Sequence, residues 1–265
     1  MKKLFLYSMF ILFSYYSFGI RPDTNYVSTP KDLGLNIDTK FLQTKDGYKI
    51  ASWLFPSMAE KKNITVIISY GDAGNMSYWL NTSVGLANSG FDVITYDYRG
   101  FGKSSPFTID KDVLYYKEFL SDLESAITLA KLTNPNNKIC LMGLSMGSII
   151  NMLYLNSPEA NNISYYIGEG HIYSPEAIGQ RLRDKKKGLI LPKDNINWKS
   201  FYSGIKIPFM LFCGSDDILW NEEDINLIIS DNNNIKIRRF DGGHLQGIYI
   251  LKDDYIKEIS DFLNE

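Results

Sequence analysis

Residues 138–155 read Lys138-Ile139-Cys140-Leu141-Met142, then Gly143-Leu144-Ser145-Met146-Gly147, then Ser148-Ile149-Ile150-Asn151-Met152-Leu153-Tyr154-Leu155. An apolar run runs into a G-x-S-x-G turn, and apolar residues at helical spacing follow. Strand, tight turn and helix in that order form the context of a nucleophile elbow. Side chains flanking so sharp a turn would clash, so glycine is required there. The turn holds Ser145 at the carboxyl end of its strand. It also sets the Met146 amide at a helix N-terminus, facing any negative charge that develops there.

Around this turn the chain alternates strands with helices. Ile37–Thr44 and Tyr48–Phe55 are strand-like and joined by Lys45-Asp46-Gly47, a hairpin signal. The β-branched run 64–70 fits a strand covered on both faces. Further strands are expected at 91–97, 163–167, 207–213 and 235–240. Helices are expected over 77–88, 112–132, 175–186 and 222–230, with an amphipathic helix through Tyr255, Ile256, Ile259 and Phe262 at the end. The expected long helix 112–132 presents Val113, Tyr116, Leu120, Leu123, Ile127 and Ala130 on one side. This alternation predicts an α/β fold with a mostly parallel sheet of about eight strands and helices on both faces. Ligands of such sheets bind beyond the carboxyl ends of the strands.

The chain has 265 residues, 45% of them hydrophobic, and a net charge of −2. That suits one domain with a sizeable core and gives no reason to expect nucleic acid as a partner. Lys2 and Lys3 precede an uncharged apolar stretch from Leu4 to Ile20. Ser17 and Gly19 are small residues at −3 and −1 of a cut after Gly19, the pattern of a secretory signal peptide. The stretch also reaches the lower bound of about 17 residues for a membrane span, so an uncleaved anchor is the alternative. Either reading predicts a secreted or periplasmic protein, or one anchored to a membrane. The domain plan is then residues 1–19 as signal or anchor, 20–36 as a linker or loosely packed arm, and 37–265 as the domain, with a small cap at about 172–206. Cys140 and Cys213 both lie in apolar runs and read as buried free thiols.

A serine hydroxyl needs a base within hydrogen-bond reach, and the base needs a carboxylate to fix its tautomer. The chain has two histidines. His244 follows the last strand in Gly242-Gly243-His244 and is the favoured base; His171, after the strand at 163–167, is the rival. Asp217, in a turn after the strand at 207–213, is the favoured acid, with Asp216 and Glu169 as alternatives. Ser145, Asp217, His244 is the chain order associated with the elbow on an open α/β sheet. The second oxyanion donor is expected from the loop after the strand at 64–70. There Asp72, within Gly71-Asp72-Ala73-Gly74, would pair its amide with that of Met146. No cofactor is called for, and no metal-ligand spacing is present in the sequence.

Four loops in this order resemble the α/β-hydrolase superfamily over nearly everything from Ile37 to the C-terminus. They are Tyr70-Gly71-Asp72-Ala73-Gly74-Asn75, Tyr96-Asp97-Tyr98-Arg99-Gly100-Phe101-Gly102-Lys103-Ser104, the Ser145 elbow, and Asp217 with His244. Within it the chain is most similar to small-cap serine hydrolases with an HGNAGN-type oxyanion loop and a YDYRGFG-type turn. That group includes acylglycerol lipases, protein depalmitoylases and esterases, many of them membrane-associated. The resemblance implies a Ser-Asp-His triad of Ser145, Asp217 and His244. It implies cleavage of an acyl ester or thioester through an acyl-enzyme, with an acylated small molecule as substrate and a membrane surface as a candidate partner. An amidase or peptidase would use the same residues. Tyr70 stands where the group usually has histidine, and Asp72 where it often has asparagine. These two departures are the support for a rival reading as a non-catalytic binding protein, and an inward Asp72 carboxylate would disfavour anionic substrates.

Arg99 and Lys103 read as parts of a structural turn more than as substrate-binding cations. Arg181, Arg183, Lys185, Lys186 and Lys187 read as a solvated helix end, with contact to an anionic membrane surface as the second reading. Tyr78 and Trp79, after the oxyanion loop, either pack in the core or rim the pocket.

Overall fold

The computed structural model describes residues 19–184, 189–192, 196–231 and 234–265. The expected signal peptide or anchor therefore lies almost wholly outside the described residues. A two-residue strand, β1 (Arg21–Pro22), opens the chain, and the hairpin of β2 (Lys40–Gln43) and β3 (Lys49–Phe55) follows. β4 (Ile64–Ser69), the short β5 (Ala73–Gly74), helix α1 (Leu80–Asn88) and β6 (Asp92–Tyr96) come next. Helix α2 (Lys117–Thr133), β7 (Lys138–Leu144) and α3 (Met146–Leu155) form the middle. The chain ends with β8 (Ile163–Glu169), α4 (Pro175–Asp184), β9 (Phe209–Gly214), α5 (Glu222–Asp231), β10 (Ile235–Phe240), α6 (Gly247–Leu251) and α7 (Asp253–Leu263).

Eight strands form one sheet in the order β10-β9-β8-β7-β4-β6-β3-β2. β2 and β3 pair antiparallel, as do β3 and β6, and the remaining pairs are parallel. Every residue of β4, β6 and β9 is buried, as continuous apolar runs under helices on both faces require. The edge strands β2 and β10 are the exposed ones. From β4 the chain steps to β6 on one side and later returns to β7 on the other. The carboxyl ends of β4 and β7 therefore flank the switch point where a crevice opens.

Three differences from the sequence-based expectation have physical causes. The segment 20–36 is not a loose linker. Ile20 is buried, β1 pairs in parallel with β5, and Pro30–Leu33 forms a 3-10 turn. Its contacts are mostly main-chain hydrogen bonds, which leave no hydropathy pattern. Helix α2 begins at Lys117, because the residues before it are engaged by the main chain at Ile190 instead. Leu114 N donates to Ile190 O, and Ile190 N donates to Asp112 O. The face it buries includes Phe119 and Ala126 beside Leu123, Ile127 and Ala130. Finally, Lys252 at φ 53° separates α6 from α7.

Candidate active site

The elbow turns on two glycines. A Cβ on Gly147 would overlap the main-chain oxygen of Ser69 at the end of β4. One on Gly143 would meet Ser148 Cα and the Tyr166 hydroxyl at 2.8 Å each. Nothing larger than hydrogen fits either position, so β7 can pass directly into α3 against its neighbours. The turn forces Ser145 to φ 52°, a left-handed backbone that a side chain rarely adopts. Its amide donates to Glu169 O at 3.1 Å, tying Ser145 to the end of β8.

The histidine loop is fitted to the end of β9. Ser215 N donates to Phe240 O and Asp216 N to Gly242 O, both at 2.9 Å, and Gly243 N donates to Gln246 Oε1 at 2.8 Å. The loop places His244 Nε2 2.8 Å from Ser145 Oγ and His244 Nδ1 2.7 Å from Asp217 Oδ2. Asp217 keeps its other oxygen occupied by Leu219 N at 2.9 Å, and its side chain is 1% exposed. Asp216 is exposed and takes no part. Burial disfavours the imidazolium of His244, but the charge of Asp217 and its hydrogen bond, then Asp72 and Glu169, outweigh it and hold its pKa above the ordinary range.

Glu169 reaches His244 only through charge. Its carboxylate accepts from Gly247 N and from the Tyr255 hydroxyl, both at 2.6 Å, and so fixes the start of α6 just beyond the histidine. Burial raises its pKa, opposed by those two donors. The neighbouring Gly170, at φ 56°, packs against the imidazole, where a Cβ would lie 2.5 Å from Cε1. Sequence reasoning weighed Glu169 only as a partner of histidine and passed over Gly170.

His171 is apart from Ser145. Its Nδ1 lies 2.8 Å from the Tyr166 hydroxyl and its Nε2 2.9 Å from the Tyr202 hydroxyl, and Tyr202 stacks on Tyr173. Burial pushes its pKa down to about 3. It is a neutral fastening between Tyr166 on β8 and Tyr202.

The loop after β4 runs beside the elbow. A Cβ on Gly71 would lie 3.4 Å from Ser145 Cβ. The Met146 amide, at the first turn of α3, has no acceptor among the described residues. Asp72 directs its carbonyl to Arg21 N at 2.8 Å. Burial raises the pKa of its carboxyl, opposed first by its own main-chain amide and then by the attraction of His244 and of Arg21. Tyr70 turns its hydroxyl to Asp97 at 3.1 Å, so the residue that departs from the histidine pattern serves the adjacent turn.

That turn is structural throughout. Asp97 also accepts from Tyr26 OH at 2.6 Å, Met76 N at 2.7 Å and Lys103 N at 3.2 Å. Arg99 is buried between Asp122 and Asp46, with its guanidinium 4.0 Å from the Tyr48 ring centroid. Lys103 Nζ donates to Thr24 O at 2.9 Å. Arg181 is held by Asp224 at 2.6 Å and Leu219 O. The side chains of Arg183, Lys185, Lys186 and Lys187 lie outside the described residues. Tyr78 and Trp79 are half-buried and line an open groove of about 1100 Å³ with Ile248 and Ile256; Ser145 is not among its walls.

Comparison with known proteins agrees with this architecture. A family model described as Hydrolase_4, serine aminopeptidase S33, matches residues 60–170. The uncharacterized protein YfhR of Escherichia coli K12 is 27% identical over 228 residues, covering 83% of this chain and 78% of that protein. YfhR of Escherichia coli O157:H7 is 28% identical over 188 residues, and the chain spans 63% of its length. Among solved structures, the Pyrococcus furiosus esterase Pf2001 superposes with a TM-score of 0.74 at 22% identity, over 92% of this chain and 98% of its own. The esterase EaEST of Exiguobacterium antarcticum gives a TM-score of 0.67 at 17% identity, over 86% and 100%. The chain has the α/β-hydrolase fold.

Proposed function

We propose that the protein is a serine hydrolase that cleaves carboxylic ester or thioester bonds through an acyl-enzyme. Ser145 Oγ attacks the carbonyl carbon while His244 Nε2 takes its proton. Asp217 holds the imidazole in the Nδ1–H tautomer and stabilises the imidazolium. The amides of Met146 and Asp72 hold the oxyanion. The tetrahedral intermediate collapses as His244 returns the proton to the leaving oxygen or sulfur. Water, deprotonated by His244, then releases the acyl group and regenerates the Ser145 hydroxyl. The carrying observation is the pair of contacts on one imidazole, 2.8 Å to Ser145 Oγ and 2.7 Å to Asp217 Oδ2. The esterases of similar fold support an ester as the substrate bond. The apolar segment Leu4–Ile20 supports export or membrane anchoring.

An amidase or peptidase is the second reading, favoured by the serine aminopeptidase description of the matching family model. The experiment is fluorophosphonate labelling and turnover of an activated ester by the parent, Ser145→Ala and His244→Ala, with a matched amide alongside. Labelling and ester turnover by the parent alone is the expected result. Turnover of the amide at a comparable rate would favour the second reading. A folded parent that neither labels nor turns over would overturn both.

A further inference from the structure

The N-terminal arm is built into the loop that carries the second oxyanion donor. β1 lies alongside β5 in register, Arg21 against Ala73 and Pro22 against Gly74. Arg21 N donates to Asp72 O at 2.8 Å, and Asp23 N donates to Gly74 O at 2.9 Å. The return contacts come from Asn75, which is fully buried. Its Nδ2 donates to Asp23 O at 3.0 Å and to Asn25 O at 2.8 Å, while its Oδ1 accepts from Ser77 N and Ser77 Oγ. Farther along, Tyr26 OH reaches Asp97, whose other oxygen accepts from Met76 N immediately after the loop. Gly102 N donates to Asp23 O at 2.9 Å, and Val27 N to Ser77 Oγ at 3.0 Å. At its start the arm is pinned by Ile20, wholly buried, and by Gly19, where a Cβ would overlap Lys111 O.

We propose that residues Ile20–Tyr26 are a positioning element of the site, which holds the loop Gly71–Asn75 so that the Asp72 amide faces an oxyanion on Ser145. This rests on the serine hydrolase reading. The loop has glycine at both Gly71 and Gly74, the latter at φ 81°, and its own main-chain pairing is with the arm. A flexible donor must be ordered at the moment charge develops, and that ordering reduces its effect on the barrier. With the arm in place the ordering is complete before substrate arrives.

Asn75→Asp is the sharpest test. It keeps Oδ1 for Ser77 and replaces the donor to Asp23 O and Asn25 O with an oxygen that repels both. Tyr26→Phe, which removes only the bond to Asp97, is the second variant and serves if the first does not fold. Each is compared with the parent in hydrogen exchange and in kcat and KM. The substrates are an activated ester and its thionoester, whose sulfur is a poor acceptor for oxyanion donors. We expect faster exchange across 71–75 in both variants. For Asn75→Asp we expect kcat on the ester to fall by about 100-fold, the effect of losing one oxyanion donor, with little change in KM. The ester-to-thionoester rate ratio should fall with it, and Tyr26→Phe should move the same way by less. A merely destabilised protein would lose both rates in proportion. Unchanged exchange in the loop, or an unchanged ester-to-thionoester ratio in folded variants, would overturn the proposal. If the parent and Ser145→Ala turn over the ester equally, the hydrolase reading fails instead, and exchange alone decides whether the arm orders the loop.

Discussion

The amide of Ser145 donates to the main-chain oxygen of Glu169 at 3.1 Å, and the Glu169 carboxylate in turn grips the amide of Gly247, three residues beyond His244. One residue at the end of β8 thus fixes both the nucleophile turn and the histidine loop. The negative charge of Glu169 also adds to those of Asp217 and Asp72 in favouring the imidazolium of His244. Glu169→Gln keeps an acceptor for Gly247 N and removes the charge. The folded pKa of His244 then falls, so the neutral base persists to lower pH. The acid limb of the kcat/KM profile should move down in pH relative to the parent, with the plateau rate little changed. Glu169→Ala removes both acceptors as well. It should cost about 1–3 kcal/mol of stability for each buried donor left unpaired. Paired pH–rate profiles and urea titrations check both; superimposable acid limbs for parent and Glu169→Gln would refute the charge argument.

Ser145 carries backbone strain at the turn between β7 and α3. At φ 52° and ψ −121° its conformation is costly for a residue with a Cβ and free for glycine. Ser145→Ala and Ser145→Gly both lack the hydroxyl, so their difference isolates the backbone. Ser145→Gly should be the more stable by about 1–3 kcal/mol, with both variants unlabelled by fluorophosphonate. Equal denaturation midpoints for the two would show that the elbow is relaxed.

Asp72, Ser145 and Asp217 were legible because each stands just past a continuous apolar run that reads as a covered strand, and His244 because it follows the last strand, at the edge of the sheet. Ile64–Ser69, Lys138–Leu144, Phe209–Gly214 and Ile235–Phe240 each deliver the loop that follows to the carboxyl ends of the parallel strands. With two histidines in the chain, pairing one to Ser145 left little room for choice. What escaped depends on main-chain contacts or on packing. The arm at 20–27 has no apolar period, and its bonds to the loop at 71–75 run through amides and carbonyls. Gly170 matters because of how closely the imidazole approaches it, which no local pattern encodes. The late start of α2 follows from Ile190, more than 70 residues away, competing for the backbone of Asp112 and Leu114.

His171 supplies an acid-sensitive fastening with no part in the chemistry. Tyr202 OH lies 2.9 Å from His171 Nε2 and 3.2 Å from Tyr173 O, and Tyr166 OH lies 2.8 Å from His171 Nδ1. The imidazole is neutral in the fold, with a pKa near 3 against about 6.5 unfolded. Because the folded value is depressed, the unfolded chain binds the extra proton first. The stability this site contributes is intact above about pH 6.5 and is lost progressively between there and about 3. His171→Gln, which cannot titrate, should flatten the acid side of the stability–pH curve by one proton relative to the parent while retaining fluorophosphonate labelling at neutral pH. Loss of labelling in a folded His171→Gln would place this residue in the reaction after all.

Arg99 tests whether the turn after β6 serves the fold or the substrate. Its side chain is 3% exposed, and it bonds Asp122, itself fully buried, at 2.7 Å and Asp46 at 2.5 Å. Removing the guanidinium leaves the Asp122 carboxylate in the interior with only the Arg99 amide as donor. Breaking a buried pair from one side costs about 3–5 kcal/mol, mostly as the penalty on the charge left behind. Arg99→Leu should lose stability on that scale, and the double variant with Asp122→Asn should recover part of it, since the stranded charge is gone. KM for a neutral ester should stay within about twofold of the parent in the folded fraction, because no loop of the site takes a contact from the Arg99 side chain. Denaturant titration of the single and double variants beside steady-state kinetics decides the matter: a large rise in KM without loss of stability would reassign Arg99 to the substrate.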